Sequence, residues 1–356
     1  MARFYPLKVK DIYKETEDCS VVSFEVPEEL RPEFGFRQGQ HLTLRKLIDG
    51  EDVRRSYSLC SSPLENEWRV GVKQIFEGKF STFVNEQLLA GETLEVMPPS
   101  GDFGVEVHSA PKNYIFFAAG SGITPVLSMI KTHLASEPES TCQLFYLNKN
   151  AKSIIFKEEI EQLRNRYFGR LEINYFLTRE QRDIALFNGR FTREKIQQMA
   201  TSILDVSSVD ECFICGPEEM IFMISEELQK LGLSKEHIHY ELFVSGLSEA
   251  DLKRVEEAKA KQFEGTKITI LDGGKEFHFA MDKSYDNILD AALAAGADLP
   301  YACKGGVCST CKCKVLEGEV EMKINYALEK DEVEKNFVLS CQAVPTSENA
   351  VLDFDV

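Results

Sequence analysis

A dense cysteine motif in residues 298–313 limits how this part of the chain can fold. Three cysteines follow the pattern C-x4-C-x2-C, and a fourth stands later, in the segment Leu-Ser-Cys-Gln. Four thiolates can bind one centre only if a tight loop and a more distant strand bring them together. The pair Gly305-Gly306 suits such a loop, because it leaves room for the backbone to wrap closely and frees N–H groups to point at sulfur. The four residues are Cys303, Cys308, Cys311 and Cys341.

This spacing indicates a [2Fe–2S] cluster, in which four cysteine thiolates bind two irons. Two other interpretations stay open from the residues alone, a structural zinc site and unused free thiols. Zinc usually needs two C-x2–4-C pairs, whereas one half of this motif is a single cysteine. Cys313 follows Cys311 at a C-x-C spacing, which is poor for a second pair. We therefore expect Cys313 to be a buried thiol outside the ligand set.

Composition and charge exclude several classes of function. A chain of 356 residues suggests two or three domains. The net charge of −17 argues against a nucleic-acid partner. The N-terminus has no apolar core of a signal peptide, and no stretch approaches 18 apolar residues, so we expect neither secretion nor a membrane span. Ten cysteines without a secretion signal indicate a reducing compartment, and we expect the cytoplasm.

Residues 1–107 read as short alternating strands separated by Pro and Gly, which predicts a small antiparallel barrel. Two of its segments can carry chemistry. Arg54–Ser58 offers a cation, an aromatic ring and hydroxyls on one strand, where alternate side chains share a face. Gly78–Thr82 places a glycine and two hydroxyls ahead of a helical pattern, which suits an anion. Either segment alone is equally compatible with an ordinary strand or an N-cap.

After Pro111 the pattern changes to alternating strands and helices, which predicts a doubly wound parallel sheet. Ligands of such sheets bind at the carboxyl ends of the strands. Three segments lie at predicted strand ends, namely 120–125, 178–179 and 215–217. An ordinary strand-to-helix turn would also explain the first of them, since it lacks the G-x-G-x-x-G pattern.

Taken in order, these motifs resemble the ferredoxin-NADP reductase family. The resemblance rests on Arg-Ser-Tyr-Ser, Gly-Lys-Phe-Ser, Ala-Gly-Ser-Gly-Ile-Thr-Pro and Cys-Gly-Pro. It implies a bound FAD, rather than FMN, beside a pyridine nucleotide. The flavin residues that it implies are Arg55, Tyr57, Ser58, Val72, Lys73, Gly78, Phe80, Ser81, Thr82 and Phe243. The nucleotide residues are Gly120, Gly122, Thr124, Pro125, Thr178, Arg179, Cys215, Gly216 and Pro217. The implied catalytic residues are Ser58, Cys215 and Glu241.

The last ninety or so residues are similar to plant-type ferredoxins, and this similarity implies Cys303, Cys308, Cys311 and Cys341 as cluster ligands. A predicted hairpin at 267–279 and a helix at 284–295 fit a β-grasp fold. A charged segment before them reads as a linker. The predicted fold class is a flavin-binding antiparallel β-barrel, a doubly wound α/β domain and a β-grasp ferredoxin domain. Their predicted boundaries are 1–108, 109–243, 244–263 for the linker, and 264–356.

The order of these modules resembles that in the reductases of multicomponent oxygenases. The residues of the motifs are most similar to those of reductases that serve phenylacetyl-CoA epoxidase. The resemblance implies an oxidoreductase of phenylacetate degradation that passes electrons from NADPH, through FAD and the cluster, to an oxygenase. Arg179 favours NADPH, with NADH as the alternative. The acidic ferredoxin domain is the expected docking site. The rival interpretations are a reductase of another diiron or Rieske oxygenase, and a non-enzymatic electron carrier.

Overall fold

A computed structural model describes residues 3–243 and 249–355. The chain forms two compact units. The first comprises Tyr5–Phe243 apart from Arg54–Ser56. The second comprises the described residues from 249 onwards, with 3–4 and 54–56. Within the described residues, no helix is long and apolar enough to cross a membrane.

The first unit begins with a six-stranded antiparallel sheet. Alternation sets its core, because buried Leu7 and Val9 face inward while Lys8 and Lys10 are exposed. Its elements are β1 (Tyr5–Thr16), β2 (Cys19–Glu25), β3 (His41–Ile48), β4 (Glu51–Ser58), β5 (Trp68–Lys73), α1 (Lys79–Glu86) and β6 (Thr93–Val96). The strand order is β4-β3-β6-β1-β2-β5. An antiparallel bridge between Leu59 and Val70 links the residue after β4 to β5, so the two edge strands meet there.

The same unit continues into a five-stranded parallel sheet covered by helices. Its elements are β7 (Asn113–Ala119), α2 (Ile123–Ser136), β8 (Thr141–Asn148), α3 (Lys157–Arg166), β9 (Leu171–Leu177), α4 (Arg193–Ala200), β10 (Glu211–Gly216), α5 (Glu218–Lys230) and β11 (Ile238–Leu242). The strand order is β11-β10-β7-β8-β9. Strands β8 and β9 are added on one side of β7, and β10 and β11 on the other side. The order of strand addition therefore reverses between β7 and β10, and ligands of doubly wound sheets bind at such a switch point. The predicted α/β architecture is confirmed.

A charge cluster joins the antiparallel sheet to the α/β part of this unit. The guanidinium of Arg69 on β5 donates to Glu159 on α3 at 2.7 Å. Lys131 on α2 is buried, and its ammonium pairs with Glu159 and, at 3.1 Å, with Glu65. Removing one of these charges would leave its partners uncompensated in a largely buried site, which is costly.

The second unit contains a mixed five-stranded sheet in the order β13-β12-β18-β14-β16 and a two-stranded sheet of β15 and β17. Its elements are α6 (Glu249–Lys261), β12 (Thr266–Asp272), β13 (Lys275–Met281), α7 (Ile288–Ala294), β14 (Lys312–Glu317), β15 (Val320–Met322), α8 (Lys330–Glu334), β16 (Phe337–Leu339), β17 (Ala343–Pro345) and β18 (Asn349–Asp353). The predicted hairpin is present as β12 and β13. Gly273 and Gly274 both have positive φ, as a tight hairpin turn requires.

Three boundaries differ from the sequence prediction. Helix α1 begins at Lys79 rather than Phe83, so Ser81 and Thr82 lie inside its first turn. Helix α7 begins at Ile288, because the side chain of Asn287 caps it by accepting from the N–H of Asp290. The segment interpreted as a linker contains α6, while residues 244–248 of that segment lie outside the described residues.

Candidate functional site

The four cysteines of the motif are grouped two and two. The first three lie in the loop between α7 and β14, and Cys341 lies in the turn after β16. The neighbouring thiol of Cys303 is the main cause that raises the pKa of Cys308, and the thiol of Cys341 is the main cause that raises the pKa of Cys311, so the four cysteines approach one another as two pairs. Across residues 3–243 and 249–355, no three His, Cys, Asp or Glu side chains converge as ligands of one metal ion. Two pairs of thiols fit a two-iron cluster, in which each iron takes two cysteines.

The backbone around Cys303 favours its thiolate, which is the form that binds iron. The N–H of Gly305 donates to the sulfur of Cys303 at 3.3 Å, and the Cys308 thiol and the N–H of Val307 are further neighbours that favour its charged form. These donors lower the pKa of Cys303 to about 6, against the opposing effect of burial. Gly306 has a φ of 77°, and a Cβ there would lie 3.1 Å from the carbonyl oxygen of Ile324.

Cys313 is the cysteine that we predicted to lie outside the ligand set. It lies on β14 in the hydrophobic core of the second unit, with its sulfur 3.8 Å from the carbonyl oxygen of Val338. Burial raises the pKa of its thiol well above the ordinary value. Its surroundings therefore suit a neutral, inert thiol rather than a ligand.

The candidate flavin segment centres on the N-terminus of α1. Gly78 is the N-cap, and a Cβ there would lie 2.4 Å from the hydroxyl of Ser81 and from a carbon of Ile75. Ser81 donates to the carbonyl of Gly78 and accepts from the N–H of Ile75 at 3.2 Å. The Ser81 hydroxyl therefore holds the turn, and the free N–H groups of the helix are left for an anion.

Aromatic and apolar groups lie beside this turn. The ring of Tyr57 lies 5.9 Å from that of buried Phe80. Val72 is buried on β5, and the amide of Thr82 continues the first turn of α1. Arg55 is exposed on β4, where its guanidinium donates to the carbonyl of Arg54.

The switch point between β7 and β10 brings two predicted nucleotide segments into contact. A Cβ on Gly122 would lie 2.3 Å from the carbonyl oxygen of Cys215 and 3.2 Å from its sulfur. A Cβ on Gly216 would lie 2.9 Å from that of Ala119. Only glycine permits these approaches. Gly120, Thr124 and Pro125 form the turn and the first residues of α2, and Pro217 caps α5.

The three predicted catalytic residues lie together at this edge. Cys215 and Glu241 are partners on the neighbouring parallel strands β10 and β11. The Ser58 hydroxyl donates to Glu241 Oε2 at 3.0 Å. Burial raises the pKa of Glu241 to about 7, against the lowering effect of the Ser58 hydrogen bond, although its side chain keeps some exposed surface. Burial also raises the pKa of Cys215 well above its ordinary value, so this thiol is neutral.

Strand β5 also reaches this edge of the sheet. A Cβ on Gly71 would lie 3.0 Å from the methyl carbon of Thr124, and one on Gly120 would lie 3.6 Å from the ammonium of Lys73. Lys73 also pairs with Asp18 at 3.6 Å. Lys73, predicted at the flavin, thus lies next to the glycine turn of the α/β part.

Two predicted nucleotide residues lie away from the switch point. Thr178 and Arg179 follow β9, at the far edge of the sheet, and line a pocket with 180–181 and 188–189. The N–H of Arg179 donates to the carbonyl of Lys149 at 2.7 Å. Phe243 follows β11 and is 37% exposed, which leaves its ring accessible.

Sequence reasoning missed Asn85, which organises the candidate flavin segment. Its amide donates to the carbonyls of Val72 and Ser81, both at 2.9 Å, and its oxygen accepts from Ser20 at 2.8 Å. It therefore ties α1 to β5 and β2. The only sequence signal was a polar residue directly after the apolar pair Phe83-Val84 in a short helix.

Comparisons with known families match all three parts of the chain. Residues 6–104 match the oxidoreductase FAD-binding domain, and residues 116–226 match the oxidoreductase NAD-binding domain. Residues 270–346 match the 2Fe-2S iron-sulfur cluster binding domain. The expected FAD, pyridine-nucleotide and [2Fe–2S] domains are therefore present.

Individual relatives match end to end. A component of 1,2-phenylacetyl-CoA epoxidase from Escherichia coli K12 is 42% identical over 100% of this chain and 99% of its own. The ferredoxin reductase component of 3-ketosteroid-9-alpha-monooxygenase from Rhodococcus rhodochrous is 34% identical over 98% of this chain and 96% of its own. The solved structure of phthalate dioxygenase reductase covers 99% of this chain and 98% of its own, with a TM-score of 0.61 and 22% identity. The predicted fold class is confirmed.

Replacing each proposed ligand, Cys303, Cys308, Cys311 or Cys341, by serine should abolish or shift the electron paramagnetic resonance signal of the dithionite-reduced protein. The reason is that each substitution removes one of the two thiolates that hold one iron. Cys313→Ser is the matched control and should keep the native signal. An unchanged signal in Cys341→Ser would contradict the ligand set.

The raised pKa of Glu241 predicts a pH-dependent stability. Since the folded state binds this proton more tightly than the unfolded state does, the stabilisation is fully present below about pH 4.5 and is lost as the pH rises through about 7. Glu241→Gln cannot titrate and should lack this loss. Urea unfolding between pH 5 and 8 measures it through the fluorescence of Trp68, the single tryptophan of the chain.

The exposed Glu226 provides the control for that experiment, since Glu226→Gln should keep the wild-type pH profile. Parallel profiles for the wild type and Glu241→Gln would show that Glu241 does not hold a proton at neutral pH.

Proposed function

Because the chain belongs to the family of FAD- and [2Fe–2S]-containing oxygenase reductases that includes this component of 1,2-phenylacetyl-CoA epoxidase, we propose that it supplies electrons from NADPH to the catalytic subunits of such an epoxidase. The observation that carries the choice of partner is the 42% identity over the whole length of both chains. When bound, FAD supplies the conversion of a two-electron hydride into the single electrons that the cluster requires.

The residues at the switch point support the reductase role. Ser58 is oriented by its hydrogen bond to Glu241, so its hydroxyl is fixed at one edge of the site. Glu241, with a pKa of about 7, can keep a proton on its carboxyl group near neutral pH. Fully buried Cys215 fills the end of β10 with a neutral, apolar side chain and keeps water away.

A second candidate partner is the oxygenase of a ketosteroid monooxygenase, since a reductase of that system is 34% identical over 98% of the chain. The non-enzymatic carrier is less well supported, because the FAD- and NAD-binding domains are both present with their glycine contacts.

The partner proposal is tested by mixing the purified holoprotein and NADPH with the catalytic subunits of 1,2-phenylacetyl-CoA epoxidase or with the oxygenase of 3-ketosteroid-9-alpha-monooxygenase. We expect NADPH consumption coupled to oxidation of phenylacetyl-CoA, and little oxidation of the steroid. Coupled turnover with the steroid oxygenase alone would assign the chain to that system instead.

The preference for NADPH is proposed to rest on Arg179. It lines the pocket after β9, where its guanidinium can pair with a 2′-phosphate. A charged hydrogen bond to a 2′-phosphate is worth about 1.5–3 kcal/mol, so Arg179→Ala should lower kcat/KM for NADPH about tenfold or more, and that for NADH far less.

Arg182 is the matched control for this comparison. Its guanidinium donates to the carbonyl of Tyr175 at 3.0 Å and lies over the ring of Phe187, so it is already engaged in the fold. Arg182→Ala should keep the coenzyme preference. An undiminished preference for NADPH in Arg179→Ala would remove Arg179 as the discriminating residue.

Electrons are proposed to leave through the acidic surface of the ferredoxin domain. Residues 264–356 carry 17 Asp and Glu against 9 Lys, a net of −8. Lysines compensate several of these acids, namely Glu321, Asp331, Glu332 and Glu334. Glu317 and Glu319 are exposed, and no ion pair among the described residues includes them. Unpaired acids of this kind suit a small, charge-steered electron-transfer contact.

Reversing Glu317 and Glu319 to lysine should slow reduction of the oxygenase at low salt and flatten the salt dependence, because charge steering is screened over about 8–10 Å at ordinary ionic strength. Reduction of the flavin by NADPH should change little. Glu276→Lys, on the edge strand β13, is the control. If the double reversal leaves both rate and salt slope unchanged, the docking surface lies elsewhere.

A further inference from the structure

Helix α6, in the segment predicted to be a linker, is bound to the ferredoxin domain. The ammonium of Lys261 pairs with Glu321 at 2.8 Å, and the N–H of Phe263, just after the helix, donates to the carbonyl of Pro345 at 2.9 Å. Ala258 is 1% exposed. These contacts make α6 a packed element of the second unit.

One acidic residue of α6 is buried in this contact. Asp251 is 1% exposed, which is rare for an acidic side chain unless it is paired. Its Oδ2 accepts a hydrogen bond from the hydroxyl of Tyr326 at 2.8 Å, and the guanidinium of Arg254 lies 3.7 Å from Oδ1. The neighbouring acids of α6, such as Glu256, are exposed.

Tyr326 connects this buried acid to the loop that carries the cysteines. Its N–H donates to the carbonyl of Gly306 at 3.0 Å. Gly306 lies between Cys303 and Cys308, and its left-handed backbone packs against the carbonyl of Ile324. A continuous set of contacts therefore runs from the connector helix to the segment whose N–H groups face sulfur.

A second set of contacts also holds this loop. The amide of Gln342 donates to the carbonyl of Lys304 at 2.8 Å and lies 3.8 Å from the sulfur of Cys341. The carbonyl of Gln342 accepts from the N–H of Lys323 at 2.9 Å. Asp251 contacts this loop through Tyr326 and not through Gln342.

We propose that Asp251 is a positioning residue that sets the reduction potential of the cluster. It fixes Tyr326, which fixes the Gly306 carbonyl and thereby the direction of the N–H groups around Cys303. Its carboxylate also places a negative charge, offset in part by Arg254, at a buried position. Cluster potentials depend on hydrogen bonds to sulfur and on nearby charge. The inference rests on the proposed binding of the cluster by the four cysteines and is independent of the partner.

The negative charge of Asp251 and its hydrogen bond to Tyr326 shift the midpoint potential in opposite directions, so two substitutions separate their contributions. Asp251→Asn keeps an oxygen that can accept from Tyr326 but removes the charge, so the midpoint potential should become more positive. Tyr326→Phe keeps the charge but cuts the hydrogen bond, so the N–H groups that favour the reduced cluster loosen and the potential should become more negative. Asp251→Glu keeps both the charge and a hydrogen-bond acceptor, so its midpoint potential should stay near that of the wild type.

The measurement is an anaerobic redox titration of the full-length holoprotein, followed by the electron paramagnetic resonance signal of the reduced cluster. Glu256→Gln removes the same charge from the exposed face of the same helix and should leave the potential unchanged. Wild-type potentials in both Asp251→Asn and Tyr326→Phe would overturn the proposal. If Asp251→Asn fails to fold, Tyr326→Phe decides alone. A wild-type protein without a cluster signal would instead refute the four-cysteine ligand set.

Discussion

The close approach of two backbone segments at the switch point underlies the rest of the redox site. A side chain at position 122 would meet the carbonyl oxygen of Cys215 at 2.3 Å, so the turn after β7 and the end of β10 can touch only through glycine. The parallel pairing of β10 with β11 places Cys215 beside Glu241, and Glu241 accepts a hydrogen bond from Ser58 of the antiparallel sheet. The glycine contact, the strand pairing and this hydrogen bond together bring residues from both parts of the first unit to one edge.

The second unit carries the proposed cluster ligands, and this ligand set requires four thiolates from two separate segments. The structure brings the four thiols together as two pairs and directs the N–H of Gly305 at the sulfur of Cys303. Positive φ angles at Lys304, Gly306 and Ser309 show how tightly this loop turns. Such strained backbone persists only where its surroundings hold it, and the contacts of Tyr326 and Gln342 do so.

The sequence predicted the architecture well, because hydrophobic periodicity and glycine punctuation are local signals. The alternation of parallel strands and helices and the hairpin at β12 and β13 followed from such signals, whereas Ser58, Cys215 and Glu241 were implied by the family resemblance. The start of α1 was wrong by one turn, since Lys79 and Phe80 carry no cap signal and the turn is held by Ser81 instead. Asn85 and Asp251 were missed because their roles depend on distant partners, 65 residues away along the chain for Asn85 and 75 for Asp251.

The central claim is that electrons enter at the switch point and reach the cluster of the same chain. Rapid mixing of the anaerobic holoprotein with NADPH, with no oxygenase present, tests it most directly. The account predicts that flavin absorbance bleaches first and that the electron paramagnetic resonance signal of the reduced cluster follows in samples frozen at later times. A bleached flavin with a cluster that stays oxidised, or a cluster that reduces without prior bleaching, would contradict it.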